Sequence, residues 1–141
     1  MEFFSSSPEE TESLGEQIAH CLVPGAVVAL RGGVGAGKTC LAAGIARGLG
    51  IDETITSPTY TIVSEYRGTP PLYHIDAYRL AGDADFENTG GLEFLGGDGI
   101  ALVEWSERIP GSIPDGAIII SIEITGQNSR IFRISGMERI N

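Results

Sequence analysis

The chain has 141 residues, with 9 basic and 19 acidic side chains and a formal net charge of −10. That length suits one domain, residues 1–141, able to close a hydrophobic core without disulfides. The charge argues against tight, unaided binding to nucleic acid, because affinity for phosphate comes from Lys and Arg. An acidic chain can still meet a basic partner surface.

Two cysteines, Cys21 and Cys40, form no CxxC pair and no metal-ligand cluster. The first ten residues, MEFFSSSPEE, lack the basic-then-apolar pattern of a secretory signal. No run approaches the roughly 18 apolar residues of a membrane span. The expectation is a cytoplasmic protein with no membrane contact.

In chain order, Ser7-Pro8-Glu9-Glu10 predicts a helix start, with Ser7 as cap, Pro8 at the first helical position and Glu10 completing a capping box. Leu14, Ile18 and Leu22 recur every four residues as one apolar stripe, and Pro24-Gly25 stops the helix. Residues 26–30 (AVVAL) are apolar on both faces, as a central parallel strand requires. Leu41, Ile45 and Leu49 mark the apolar face of the next helix, ended by Gly50. TYTIVSEY (59–66) and LYHID (72–76) predict strands on either side of a Gly-Thr-Pro-Pro turn. Residues 79–95 mix short helical signals with glycines, and residues 100–103 form a further buried strand ending at Glu104-Trp105. The tail, AIIISIEIT then GQN then SRIFRIS, predicts a β-hairpin. This order implies an α/β fold with a mostly parallel central sheet, antiparallel additions and a C-terminal β-hairpin; taken with the glycine-rich segment between the first buried strand and its helix, the expectation is a P-loop NTPase-like three-layer sandwich.

Residues 32–39, GGVGAGKT, match G-x-x-x-x-G-K-[ST]. The pattern alone can arise by chance in a glycine-rich chain. Here a predicted strand precedes it and a predicted helix follows, which is the context that gives it meaning. Glycines let the backbone turn with its N–H groups pointing inward on phosphate oxygens, and the helix start adds its positive end. Nucleotide binding is thereby assigned to Gly33, Val34, Gly35, Ala36, Gly37, Lys38, Thr39 and Cys40. Lys38 is to reach the β- and γ-phosphates and Thr39 to hold Mg²⁺.

Hydrolysis or phosphoryl transfer also needs an acid at a neighbouring strand end. Asp76 ends LYHID and Glu104 ends IALVE. The bland alternative is a pair of solvated strand-end carboxylates, but ligands of such sheets bind at the carboxyl edge. Trp105, the only tryptophan, serves equally well as a rim ring or as a wall of the site. The hydroxyl-rich segment 56–61 (TSPTYT) has the place of a nucleotide-sensing switch or of an ordinary loop. His74, inside a strand, reads as a structural histidine. No N-K-x-D element of guanine-selective switches occurs, so adenine is the expected base.

GGVGAGKT, TSPTYTIVSEY, YHIDAYRL and LVEWSE, in that order across residues 32–107, together resemble the bacterial TsaE (YjeE) ATPases of tRNA threonylcarbamoyladenosine synthesis. The first motif is unspecific; SPTYT followed by HIDAYRL and EW is close to diagnostic. The resemblance implies an ATPase using ATP and Mg²⁺ with two partners, TsaB and TsaD, which carry the transferase chemistry, so that tRNA is met only indirectly. It implies that Lys38 and Thr39 serve the phosphates and metal, that Glu104 is a metal ligand and that Asp76 is needed for turnover. Ser57, Thr59, Thr61, Tyr78, Arg79 and Trp105 fall on motif positions suited to switching or partner coupling. Outside residues 32–107 the likeness is of pattern, and adenine-rim roles are given to Thr11 and Arg130. The family loop usually reads G-D-L-G-A-G-K-T; Gly33 and Val34 depart from it, which loosens the loop entropically but removes no backbone donor.

Two other functions compete. A small-molecule kinase could use the same cradle, but it needs an acceptor pocket and usually an arginine-rich lid, and the eight arginines here are scattered. A regulatory module that binds nucleotide and hydrolyses nothing useful alone overlaps the ATPase reading if partners complete the site.

Overall fold

The computed structural model describes residues 1–33, 35–55, 62–138 and 140. The elements in chain order are β1 (Glu2–Ser5), α1 (Pro8–Ala19), β2 (Val27–Arg31), α2 (Lys38–Gly48), β3 (Val63–Tyr66), β4 (Leu72–Asp76), α3 (Asp83–Asn88), β5 (Ile100–Glu104), β6 (Ile118–Ile124) and β7 (Arg130–Ser135), with 3₁₀ turns at Gly91–Phe94 and Ser106–Arg108. Among the described residues the strands form one seven-stranded sheet, ordered β1-β7-β6-β2-β5-β4-β3. The four central strands, β6, β2, β5 and β4, are parallel. The flanking strands β3, β7 and β1 pair antiparallel. The predicted 72–76 strand and the C-terminal hairpin are both present. β1 was not expected: four residues at the N-terminus pair along β7, a long-range contact that no local pattern announces.

Alternation along the strands builds two cores. Val28 and Leu30 of β2, with Leu102 and Ile120, pack under Leu14 and Ile18 of α1 and Leu41 and Ile45 of α2. Val27, Ala101, Val103 and Ile75 point to the other face, against Leu80, Phe86 and Ile109. Each such aliphatic side chain, taken fully out of water, contributes about 2 kcal/mol.

Ser7 caps α1, its Oγ accepting from the Glu10 N–H at 3.1 Å. The reciprocal half of the expected box is displaced by one residue: the Glu10 carboxylate takes the Ser6 N–H and hydroxyl, each at 2.9 Å. The two helices approach through glycine. A Cβ at Gly44 would lie 2.1 Å from the Glu12 carbonyl oxygen, and one at Gly15 would lie 2.6 Å from that of Leu41. At the rim of this contact Arg47 pairs with Glu12 at 3.1 Å and with Glu16. Those ion pairs are half exposed and add little.

This frame sets the working edge of the sheet. Leu30 and Asp76 both stand in register with Glu104, so β2, β5 and β4 end together. The glycine-rich segment leaves β2 at that edge and returns as the first turn of α2. No helix of the described residues is long and apolar enough to cross a membrane.

Candidate functional site

A cavity of about 430 Å³ opens at this edge, lined by residues 35–37 and by Lys38, Thr39, Cys40, Asp76, Glu104, Trp105 and Arg130. Gly37, at φ +103°, is the N-cap of α2 and has no side chain to cap it. Positive φ at Gly35 (+79°) and at Gly37 suits glycine and bends the chain sharply into the helix. The unmatched N–H groups of the first helical turn therefore collect at the cavity. A Cβ at Gly33 would meet nothing within 4 Å, so its departure from the family Asp fills no needed space. Val34 lies outside the described residues.

Lys38 is buried, and its Nζ donates to the Gly32 carbonyl oxygen at 2.9 Å. The same ammonium sits 3.8 Å from the centre of the Trp105 ring, a cation–π contact. Burial pulls its pKa below the usual lysine value, and the carboxylates of Glu104, Glu107 and Asp76 act in the opposite direction.

Glu104 is buried, not the solvated strand-end acid of the bland alternative. One of its oxygens, Oε2, lies 2.5 Å from His74 Nε2. His74 is wholly buried and, among the described residues, its Nδ1 has no hydrogen-bond partner, so the imidazole's polar contact there is with Glu104. Sequence reasoning set His74 aside as structural. The sequence held only half of the signal, that a lone imidazole in an apolar strand needs a polar partner; the register that puts His74, Asp76, Leu102 and Glu104 on one face of paired strands is tertiary. Asp76 is half-buried, and its Oδ1 accepts from the Tyr78 N–H at 3.0 Å.

Trp105 has φ +58°, ψ +39°, the one described non-glycine residue in the left-handed region. That conformation costs roughly 1 kcal/mol or more. Two hydrogen bonds flank it: the Ser106 hydroxyl donates to the Leu30 carbonyl at 3.3 Å, and the Arg108 N–H donates to the Trp105 carbonyl at 3.0 Å. The turn places the indole between Lys38 and Tyr78, whose ring centre is 4.9 Å away, and Arg108 covers Tyr78 in turn. The HIDAYRL and EWSE motifs thus meet through His74–Glu104, through Ala77 N–H donating to the Glu104 carbonyl at 3.0 Å, and through Tyr78–Trp105.

Not every expected residue joins the cavity. Arg79 is exposed and lies outside its lining. Ser57, Thr59 and Thr61 fall outside the described residues. Thr11 is buried on α1 and shares a 2.8 Å hydrogen bond with Ser5. Together with Ser7, Pro8, Asn128 and Arg130 it lines a smaller space of about 50 Å³ that also touches Gly37 and Cys40.

The fold and edge define a mixed α/β protein whose parallel strands deliver two carboxylates to a glycine-rich turn and a helix start. Comparison with known proteins is specific. A family described as "Threonylcarbamoyl adenosine biosynthesis protein TsaE" matches residues 5–132. A "tRNA threonylcarbamoyladenosine biosynthesis protein TsaE" of Treponema pallidum (strain Nichols) is 41% identical over 130 residues, covering 92% of this chain and 96% of the relative. The protein of that name from Aquifex aeolicus (strain VF5) is 40% identical over 136 residues, with 94% of each covered. The crystal structure of Bacillus subtilis YdiB superposes with a TM-score of 0.77 at 36% identity, over 94% of this chain and 82% of that one. The chain belongs to the TsaE family.

Proposed function

We propose that this chain is a Mg²⁺-dependent ATPase, with a P-loop NTPase-like three-layer architecture, serving tRNA threonylcarbamoyladenosine formation alongside partners of the TsaB and TsaD type. The observation that carries the reading is one cavity in which a buried lysine and a hydroxyl at a helix start face two strand-end carboxylates. The shared name of the relatives supports the process. Cores on both faces of the sheet support the three layers.

The donor set fits the metal. The Thr39 hydroxyl and the Glu104 and Asp76 carboxylates are hard oxygen ligands lining one space, and Mg²⁺ is usually held by one or two carboxylates plus substrate phosphates. The chemistry Mg²⁺ would supply there is neutralisation of the charge that develops during phosphoryl transfer. Lys38 exchanges its contacts with Gly32 and the indole for the β- and γ-phosphates. Backbone N–H groups of residues 35 and 37–39 hold the remaining oxygens. His74 fixes one oxygen of Glu104, which presents the carboxylate in a single orientation. Asp76 orients the attacking water or, through Tyr78 and Trp105, couples the site to the surface. Residues 56–66 and 76–80 relay nucleotide state to the partners.

Glu104→Gln is expected to keep nucleotide and to lose hydrolysis by about 100-fold, because a metal position depends on the charge. Asp76→Asn slows turnover less. Phosphate release and fluorescent-nucleotide titration, measured alone and with both partners, check this; full activity in both variants sinks the assignment. The protein alone is also expected to lack submicromolar affinity for tRNA at physiological salt, given a net charge of −10 and a phosphate-facing Lys38. Tight binding in a gel-shift titration, with turnover indifferent to partners, returns weight to an autonomous enzyme.

A further inference from the structure

Arg130, the first residue of β7, gives its guanidinium to main-chain oxygens. Nε donates to the Ala36 carbonyl and Nη2 to the Gly35 carbonyl, each at 3.0 Å. On the other side Nη1 donates to the carbonyls of Ser129 (2.9 Å) and Gly126 (3.1 Å). One edge of the planar fork therefore grips the glycine-rich loop, and the opposite corner grips the turn between β6 and β7. Two successive carbonyls matched by two parallel donors need the arginine fork; the point charge of a lysine cannot reproduce it.

The consequence follows from peptide planarity. In a trans peptide the C=O and the following N–H point in opposite directions. Pinning the oxygens of residues 35 and 36 therefore sets the direction of the N–H groups of residues 36 and 37. Gly35 and Gly37, both at positive φ, have the freedom to rotate these planes away if nothing holds them. A second tie, from the Ala36 N–H to the Gly33 carbonyl at 3.1 Å, completes the brace.

We infer that Arg130 is a positioning residue for the phosphate loop, acting on the peptide planes of residues 35–37 and not on a nucleotide base. Its consequence for affinity rests on the phosphate-binding reading; the brace itself does not, because it is made of contacts within the chain.

The test uses the full chain as wild type, Arg130→Lys and Arg130→Gln. Without nucleotide, amide hydrogen exchange followed by NMR is expected to speed up about 10-fold at Ala36 in both variants, with β2 and α1 amides unchanged and so reporting an intact fold. Calorimetric titration should then show ATP and tripolyphosphate weakened by the same factor in both variants. Unchanged exchange at Ala36 overturns the inference, and so does full rescue by lysine, which would leave only a charge effect. Weakened ATP with unaltered tripolyphosphate also overturns it and assigns Arg130 to the base. A wild-type protein that binds neither ligand removes the phosphate reading instead, and Ala36 exchange then decides the brace alone.

Discussion

Lys38→Ala is expected to weaken ATP binding by about 100-fold or more. A charge-assisted hydrogen bond to a phosphate contributes roughly 1.5–3 kcal/mol, and each 1.4 kcal/mol is tenfold. The loss is compounded here, because Lys38 is the cation set among Asp76, Glu104 and Glu107. Without it, a polyanionic ligand meets those carboxylates directly. The fold should survive, since α2 is held by Leu41, Ala42 and Ile45, which belong to the core and not to the cavity lining. The emission of Trp105 should also change, because the ammonium leaves its ring. Calorimetry with ATP, alongside a thermal melt, separates loss of binding from loss of structure. Wild-type affinity in a folded Lys38→Ala protein ends the cradle assignment.

Gly44→Ala is expected to destabilise the protein by about 3 kcal/mol or more, toward the upper end of overpacking costs. The new methyl would lie 2.1 Å from the Glu12 carbonyl oxygen, and within 2.9 Å of the carbonyl carbon and Cα of the same residue. These are backbone atoms of a packed helix, so relief requires moving α1 as a whole. The gain in helix propensity, about 1 kcal/mol, does not offset that. Against a total stability of roughly 5–15 kcal/mol, a fall of about 10 °C in melting temperature follows. Gly33→Ala is the control: it meets nothing within 4 Å and should leave the midpoint within about 1 kcal/mol of wild type. Equal melting of Gly44→Ala and wild type refutes the close-packing account of α1 against α2.

Sequence reasoning reached the elements whose signals are local. Ser7 and Pro8 announce a helix start through backbone donors that only a nearby side chain can satisfy. The apolar run 27–30 of β2 and the alternating β6 declare how many of their faces are buried. The glycine, lysine and threonine spacing of residues 32–39 is local too, because it lies in a single turn joined to a helix start. Resemblance added the roles of Asp76 and Glu104, and strand register puts both at the same edge.

Tertiary structure decided what depends on residues far apart in the chain. His74 becomes a partner of Glu104 only because β4 and β5 are parallel neighbours, 30 residues apart. Arg130, expected at the rim of the base, holds loop carbonyls 94 and 95 residues away. Gly15 and Gly44 are unremarkable within their own helices and become obligatory only where the two backbones meet. Side-chain periodicity specifies which face of an element is buried; it carries no record of which distant element lies against that face. Such partners are set by the packing of the whole sheet and its helices, and for that reason they became legible only in three dimensions.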